Sequence, residues 1–310
     1  MSNKVTIIGA GNVGATIAYN FAVSGIANEI CLVDIAKDKA EGEAMDIAQG
    51  TPYTSPVRIY SGEYSDAVGS QVVVITSGVG RKPGQTRLDL ANINVGIVKS
   101  VAKEIVPYCP DAIYIIVSNP ADINAYVFAK EAGVPVNHVI GTGTTIDTAR
   151  LRDKLAQELE VSQDIIHAYV FGEHGDTSFV PWSICRVGAM TVDEYAERVC
   201  GKKLDHEAIE EHVRTSGAQV IARKKATFYA IAASVAEICE KIFSGNRYIL
   251  PVATVMNGEL GVKDVAVSLL ALVSSEGVEK ILEPDLTEEE LEKFRKSAAA
   301  MKAFADGLGL

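Results

Sequence analysis

The amino-acid sequence predicts an α/β protein: a doubly wound parallel sheet followed by an α+β unit. Three observations predict it. Short β-branched runs recur through the first half and alternate with helical patterns. Most of these runs are continuously apolar, as strands of a parallel sheet covered on both faces are. After about Gly143 the alternation stops, and long helical segments and a strand pair take its place.

In chain order, the predicted strands are 5–8, 29–33, 71–75 and 112–117, with helices over 12–23, 37–49 and 90–106 between them. Strand–helix alternation at this spacing is the pattern of parallel crossover units. Beyond Gly143, helical segments cover 148–159 and 207–243. A strand pair is expected at 252–257 and 265–272, with a turn at Asn257-Gly258. The C-terminus reads as a helix. Thr287 with Glu290 three residues on forms a capping box, and Leu291, Phe294 and Ala298 share an apolar face. These patterns divide the chain into domains 1–142 and 143–310. No Pro/Gly/Ser linker separates them, so a tight interface is expected.

Composition bounds the function. The chain has 310 residues, 48% hydrophobic and 22% charged, with a formal charge of −11. That is ordinary globular composition. The acidic surface argues against nucleic acid or an anionic membrane as partner, so an anionic ligand must be drawn by local arginines. The cysteines at 31, 109, 185, 200 and 239 are odd in number, form no CxxC pair and match no zinc spacing. Free thiols in a reducing cytoplasm, no metal, no leader and no membrane span are therefore expected.

Gly9-Ala10-Gly11-Asn12-Val13-Gly14 follows the first predicted strand and opens the first predicted helix. The glycines permit a tight turn and close approach of backbone to a pyrophosphate, and the helix N-terminus offers free N–H donors. Asp34 ends the second strand 20 residues after Gly14, where an acid can accept hydrogen bonds from ribose hydroxyls. An acid there repels a 2′-phosphate, so NAD is favoured over NADP. The context is that of a Rossmann domain.

Three more segments carry a resemblance. Phe171-Gly172-Glu173-His174-Gly175-Asp176 resembles the active-site histidine motif of the L-lactate and malate dehydrogenases. Residues 140–150, containing Asp147-Thr148-Ala149-Arg150, are similar to their aspartate–arginine segment. Arg81-Lys82-Pro83-Gly84-Gln85-Thr86-Arg87 is similar to their mobile loop. The match runs from about residue 5 to the C-terminal helix.

The chemistry such enzymes need suits these residue types. His174 is the natural proton donor to a developing alkoxide, because imidazole titrates near working pH. The resemblance makes Asp147 its acid partner. Arg150, three residues later, shares the helix face, and its planar fork suits a bidentate grip on a substrate carboxylate. Arg87 would arrive on the closing loop and stabilise the carbonyl oxygen. Asn119, in Val117-Ser118-Asn119-Pro120, would hydrogen-bond the carbonyl and border the nicotinamide. The resemblance adds Asp122 and Thr227 to the substrate pocket. To the cofactor contacts it adds Val13, Lys39, Tyr64, Gly78, Val79, Ser100, Val117 and Thr142. Asp122 and Lys39 carry the weaker signals, since either could be a plain surface charge.

The sequence gives two answers on the substrate. Arg81 lies six residues before Arg87, where lactate enzymes usually carry glutamine and malate enzymes arginine. An arginine facing a methyl group would be a desolvated charge without a partner; facing the second carboxylate of oxaloacetate it would pair. The rest of the chain leans the other way. Thr227, Trp182, Gly141-Thr142-Gly143-Thr144 and Glu43-Ala44-Met45-Asp46 are lactate-like. Arg152 and His167 fall where bacterial lactate dehydrogenases bind fructose 1,6-bisphosphate across a subunit interface. The expectation is a bacterial, allosteric type of L-lactate dehydrogenase interconverting pyruvate and (S)-lactate in fermentation and glycolysis, a cytoplasmic homotetramer. Malate dehydrogenase and a broader 2-hydroxy-acid dehydrogenase are the alternatives. A non-catalytic NAD-binding protein is disfavoured by the presence of His174, Asp147 and Arg150 together.

Overall fold

The computed structural model describes residues 3–80, 84 and 86–310. In chain order the elements are β1 (Lys4–Ile8), α1 (Asn12–Ser24), β2 (Glu29–Val33), α2 (Lys37–Gly50), β3 (Arg58–Ser61), β4 (Val72–Ile75), α3 (Arg87–Ile105), β5 (Ile113–Ile116), α4 (Ala121–Glu131), β6 (Val139–Gly141), α5 (Thr145–Leu159), β7 (Ile166–His167), β8 (Arg186–Val187), β9 (Met190–Thr191), α6 (Val192–Arg198), α7 (His206–Lys224), α8 (Tyr229–Phe243), β10 (Tyr248–Asn257), β11 (Lys263–Ser274), β12 (Gly277–Ile281) and α9 (Glu288–Gly307).

The predicted parallel sheet is present. Six strands run parallel in the order β3-β2-β1-β4-β5-β6. Chain direction across the sheet reverses between β1 and β4, the switch point where open α/β sheets leave a crevice. β4 and β5 are buried at every position, and β1 and β2 at all but their first residue, which is why they read as unbroken apolar runs. One apolar layer packs α1, α2 and α8 on one face; the other packs α3 and α4 on the opposite face. β3 and β6 escape the sequence reading. β3 is a half-exposed edge strand, Arg-Ile-Tyr-Ser, and β6 is only three residues long.

The same sheet continues into the second half of the chain. β10 joins β6 through the pair Ala253 and Gly141, antiparallel, and β11 and β12 extend it as hairpins. A Cβ at Gly141 would sit 3.0 Å from the Cβ atoms of both Ala125 and Ala253, so a larger residue would have to displace β10 or α4. α9 packs Phe294, Ala298 and Met301 against β11, and its Thr287–Glu290 capping box forms as predicted.

One expectation is corrected. The segment 207–243 is two helices, α7 and α8. Lys225 adopts a left-handed conformation (φ 73°), and Ala226–Phe228 are non-helical before α8 begins. No glycine or proline marks the break, so the helical periodicity reads straight through it.

Candidate active site

The carboxyl ends of β1, β2 and β4 border a cleft of about 380 Å³. Gly9 has φ 106°, and a Cβ on it would meet Thr76 Oγ1 and Ser77 N at 2.7 and 2.8 Å. A Cβ on Gly14 would lie 1.8 Å from the Gly9 carbonyl oxygen, so no larger residue fits where α1 passes the turn. Thr76 Oγ1 donates to Gly9 O, and Asp34 accepts from the N–H groups of Ala10 and Ala36 at 2.6 and 2.8 Å. Gly9, Gly11, Asp34, Tyr64, Gly78, Val79 and Ser100 line the cleft, together with Ile35, Thr76, Ser77 and Ile97, which the sequence reading missed. The other predicted cofactor contacts lie off this lining. Val13 packs against the core, Val117 and Thr142 are buried behind it, Gly14 is inside α1, and Lys39 is exposed on α2.

Asp147 and Arg150 stand one turn apart at the start of α5. Arg150 Nη1 donates to Asp147 Oδ1 at 2.8 Å, and His174 Nδ1 is 2.5 Å from Asp147 Oδ2. One buried carboxylate thus holds both the imidazole and the guanidinium. Burial opposes its charge, but His174 and Arg150 outweigh burial and hold its carboxyl below the usual range. For His174, burial favours the neutral ring, yet Asp147 and Asp122 together raise its pKa. With Nδ1 engaged by Asp147, Nε2 is left for a substrate. Gly217 of α7 lies against the other arm of the fork; a Cβ there would be 3.1 Å from Arg150 Nη2.

The loop bearing His174 is tied down on several sides. Phe171 pairs with Phe179, and Gly172 with Ser268 of β11. Gly172 has φ 91°, and a Cβ on it would strike Ser297 Oγ at 2.5 Å. The Glu173 side chain accepts from Thr177 N and Oγ1. Asp122, on α4, accepts the main-chain N–H of His174. Buried Asn94 of α3 accepts from Val79 N and donates to the carbonyls of Val79 and Asn119, linking the cleft to the Asn119 turn. Asn119 itself is exposed.

Arg87 is the first residue of α3, where Thr86 caps the helix. It pairs with Asp176, two residues past His174, at 3.0 Å. Both side chains are more than half exposed, so the pair is weak and exchangeable. Arg81 lies outside the described residues. Thr227 sits half-buried in the connection between α7 and α8. Away from this site, Arg152 Nε donates to Ala168 O, and its guanidinium lies over Tyr169. Exposed His167 faces Arg186 across the β7–β8 pair.

Comparison with known proteins identifies the family. Residues 3–141 match the family profile described as the lactate/malate dehydrogenase NAD binding domain, and residues 144–307 the one described as the family's alpha/beta C-terminal domain. The chain belongs to the lactate/malate dehydrogenase family. It is 43% identical to an L-lactate dehydrogenase of Thermoanaerobacter sp. strain X514, over 99% of this chain and 100% of the relative. A lactate dehydrogenase crystal structure from a Medee basin deep-sea metagenome library superposes with TM-score 0.97, at 38% identity and full coverage of both chains. Malate dehydrogenase of Archaeoglobus fulgidus, solved with NADH, superposes with TM-score 0.89 at 35% identity, covering 99% of this chain and 100% of its own.

The cleft of this family member fits the dinucleotide. Gly11 leaves open space where a Cβ would stand, no side chain caps the N-terminus of α1, and buried Ser77 Oγ has no partner among the described residues. These features leave donors for a pyrophosphate, and Asp34 is placed for a ribose. Among the described residues, no helix is long and apolar enough to cross a membrane. Among those residues too, no group of three His, Cys, Asp or Glu side chains is placed to hold a metal. All five cysteines are free.

Proposed function

We propose that the chain is an NAD-dependent L-lactate dehydrogenase interconverting pyruvate and (S)-lactate. The observation that carries this reading is the His174–Asp147–Arg150 cluster, in which one carboxylate orients a proton donor and an anion-binding fork together. Gly9, Gly11, Asp34, Tyr64, Gly78, Val79 and Ser100 would hold NAD, with Val13, Gly14, Lys39, Val117, Asn119 and Thr142 around them. NADH, when bound there, supplies the hydride.

The chain's own residues do the rest. Arg150 grips the carboxylate of the keto acid in its planar fork. His174, protonated and held by Asp147, gives its Nε2 proton to the carbonyl oxygen as C2 is reduced, and recovers it in the reverse direction. Arg87 exchanges Asp176 for the polarised carbonyl oxygen, and Asn119 donates to the same oxygen. Thr227 borders the substrate, and Asp122 stands behind it, buried against the His174 main chain. The division at 142 into an NAD-binding and a substrate domain is supported by where the two family profiles meet.

Relatives named L-lactate dehydrogenase favour pyruvate as substrate. Arg152, bonded to the carbonyl of Ala168 next to His167, supports with that histidine a fructose 1,6-bisphosphate site between symmetry-related subunits, hence a homotetramer. Exposed apolar residues on α1, α2 and α7, among them Tyr19, Met45 and Ile221, support the same assembly. We place the enzyme in the cytoplasm, in glycolytic fermentation of pyruvate. Malate dehydrogenase is the second reading, favoured by Arg81 and by the Archaeoglobus fulgidus structure.

NADH absorbance followed with pyruvate and with oxaloacetate, each with and without the bisphosphate, separates the readings. Pyruvate should be the better substrate by kcat/KM. A hundredfold preference for oxaloacetate, about 2.7 kcal/mol, would establish the second reading. His174→Asn should lose roughly a thousandfold or more in turnover while NADH binding persists. Near-normal turnover removes His174 from the acid–base role.

A further inference from the structure

Asp122 lies beneath His174 and is 3% exposed. Its Oδ2 accepts the His174 main-chain N–H at 2.8 Å, while its Oδ1, equally buried, has no partner among the described residues. The preceding amide, Glu173 N–H, is held at 2.8 Å by the neutral hydroxyl of Ser297 on α9. Two consecutive amides of one loop are therefore fixed from two elements, one by a hydroxyl and one by a carboxyl group. Ser297 demonstrates that a neutral acceptor is enough to hold such an amide. A carboxylate kept from water with one oxygen unmatched is costly, so an acid at this position calls for a further explanation.

We propose that Asp122 is a positioning residue for His174: it fixes the loop through the amide, and its carboxylate charge favours the protonated imidazole. This rests on His174 being the proton donor. The charged and titratable groups around Asp122 are His174 and Glu173 from the loop and Asp147 from α5, with Arg150 on the far side of Asp147. Burial pushes the Asp122 carboxyl up to about 7, with Glu173 and Asp147 adding to the rise and His174 opposing it. Asp122 therefore gains its charge as pH rises through about 7, and that charge adds to Asp147 in raising the His174 imidazole.

The sign follows. Pyruvate reduction needs protonated His174, so activity holds at low pH and falls as pH rises through the histidine's pKa. Removing the Asp122 charge lowers that pKa, and the falling limb moves to lower pH. In Asp122→Asn, which keeps an oxygen for the amide, the limb of kcat/KM should move acid-ward by about half a unit or more. Ser297→Ala, which removes the neutral acceptor, should leave the limb in place. The cofactor-free protein gives an independent readout. Diethyl pyrocarbonate attacks neutral imidazole, so the pH midpoint of its inactivation should shift the same way in Asp122→Asn. Asp122→Ser, smaller and still an acceptor, gives both readouts should the asparagine variant not fold. An unmoved limb and an unmoved midpoint overturn the proposal, whereas a wild type that does not reduce pyruvate overturns the functional reading instead.

Discussion

Gly217 stands on α7, far along the chain from Arg150, yet it decides where the fork of that arginine can rest. A single added carbon would come within 3.1 Å of Arg150 Nη2. Alanine is accommodated by a shift of a few tenths of an ångström, and gains about 1 kcal/mol of helix propensity in return. The branched side chain of valine has no such option and must push the fork away from Asp147. Gly217→Val should therefore raise the KM for pyruvate about tenfold, with NADH affinity unchanged. An unaltered KM would mean that the fork is set by Asp147 alone. His174, Asp147 and Arg150 were singled out in the sequence because they stand in motifs that resemble the family's, and the structure brings the three side chains together. Gly217 was not, because its contribution is the absence of a side chain. Asn94 and Ser297 were also hidden: they act on main-chain groups of segments distant in sequence, and no local pattern reports such a partner.

At the scale of elements, legibility followed local chemistry. The Thr287–Glu290 box announced α9 because both halves of the cap lie within four residues, and the structure repeats the device at Thr86–Asp89 and Thr191–Glu194. The break between α7 and α8 was illegible for the opposite reason. Its left-handed position is occupied by Lys225, a residue with no preference for that conformation, and Lys224 folds its amine over the rings of Phe228 and Tyr229. Side-chain contacts across the corner, not backbone propensity, accompany it. The cap of α9 is the simpler case to measure. Thr287 Oγ1 accepts from Glu290 N, while Glu290 also holds Ser183 through its main-chain N–H and its hydroxyl. Thr287→Ala removes the acceptor and leaves Glu290 anchored to Ser183. Thermal unfolding should show a loss of about 1 kcal/mol, with kcat unaffected. A loss several times larger would mean that the cap also fixes the Trp182–Ile184 segment.

On the scale of the whole molecule, the parallel pairing of β1, β2, β4 and β5 follows from unbroken apolar strands separated by helices. The junction of β6 with β10 does not, since pairing between distant halves leaves no trace in local pattern. The same limit applies to assembly, for which surface charge is one guide. A chain with a formal charge of −11 attracts a doubly phosphorylated sugar only where cations are concentrated. Arg152 Nε is held by the carbonyl of Ala168, the residue next to exposed His167, and Arg186 faces that histidine across the strand pair. One copy of this cluster is modest. Two copies facing across a symmetry axis would give a site with at least four cationic or protonatable groups, able to bind both phosphates of one effector. A ligand that bound the assembled subunits and not the separated ones would stabilise the assembly by mass action. Fructose 1,6-bisphosphate should therefore lower the KM for pyruvate and, in sedimentation at low protein concentration, shift the enzyme toward the tetramer. Arg152→Gln should abolish both effects while leaving activity without effector close to that of the wild type. Raised salt should weaken the effect in the wild type, since the attraction is between charges. A wild type indifferent to the bisphosphate in both measurements would reduce Arg152 and His167 to unrelated surface cations, and the case for a tetramer would then rest on the apolar residues of α1, α2 and α7 alone.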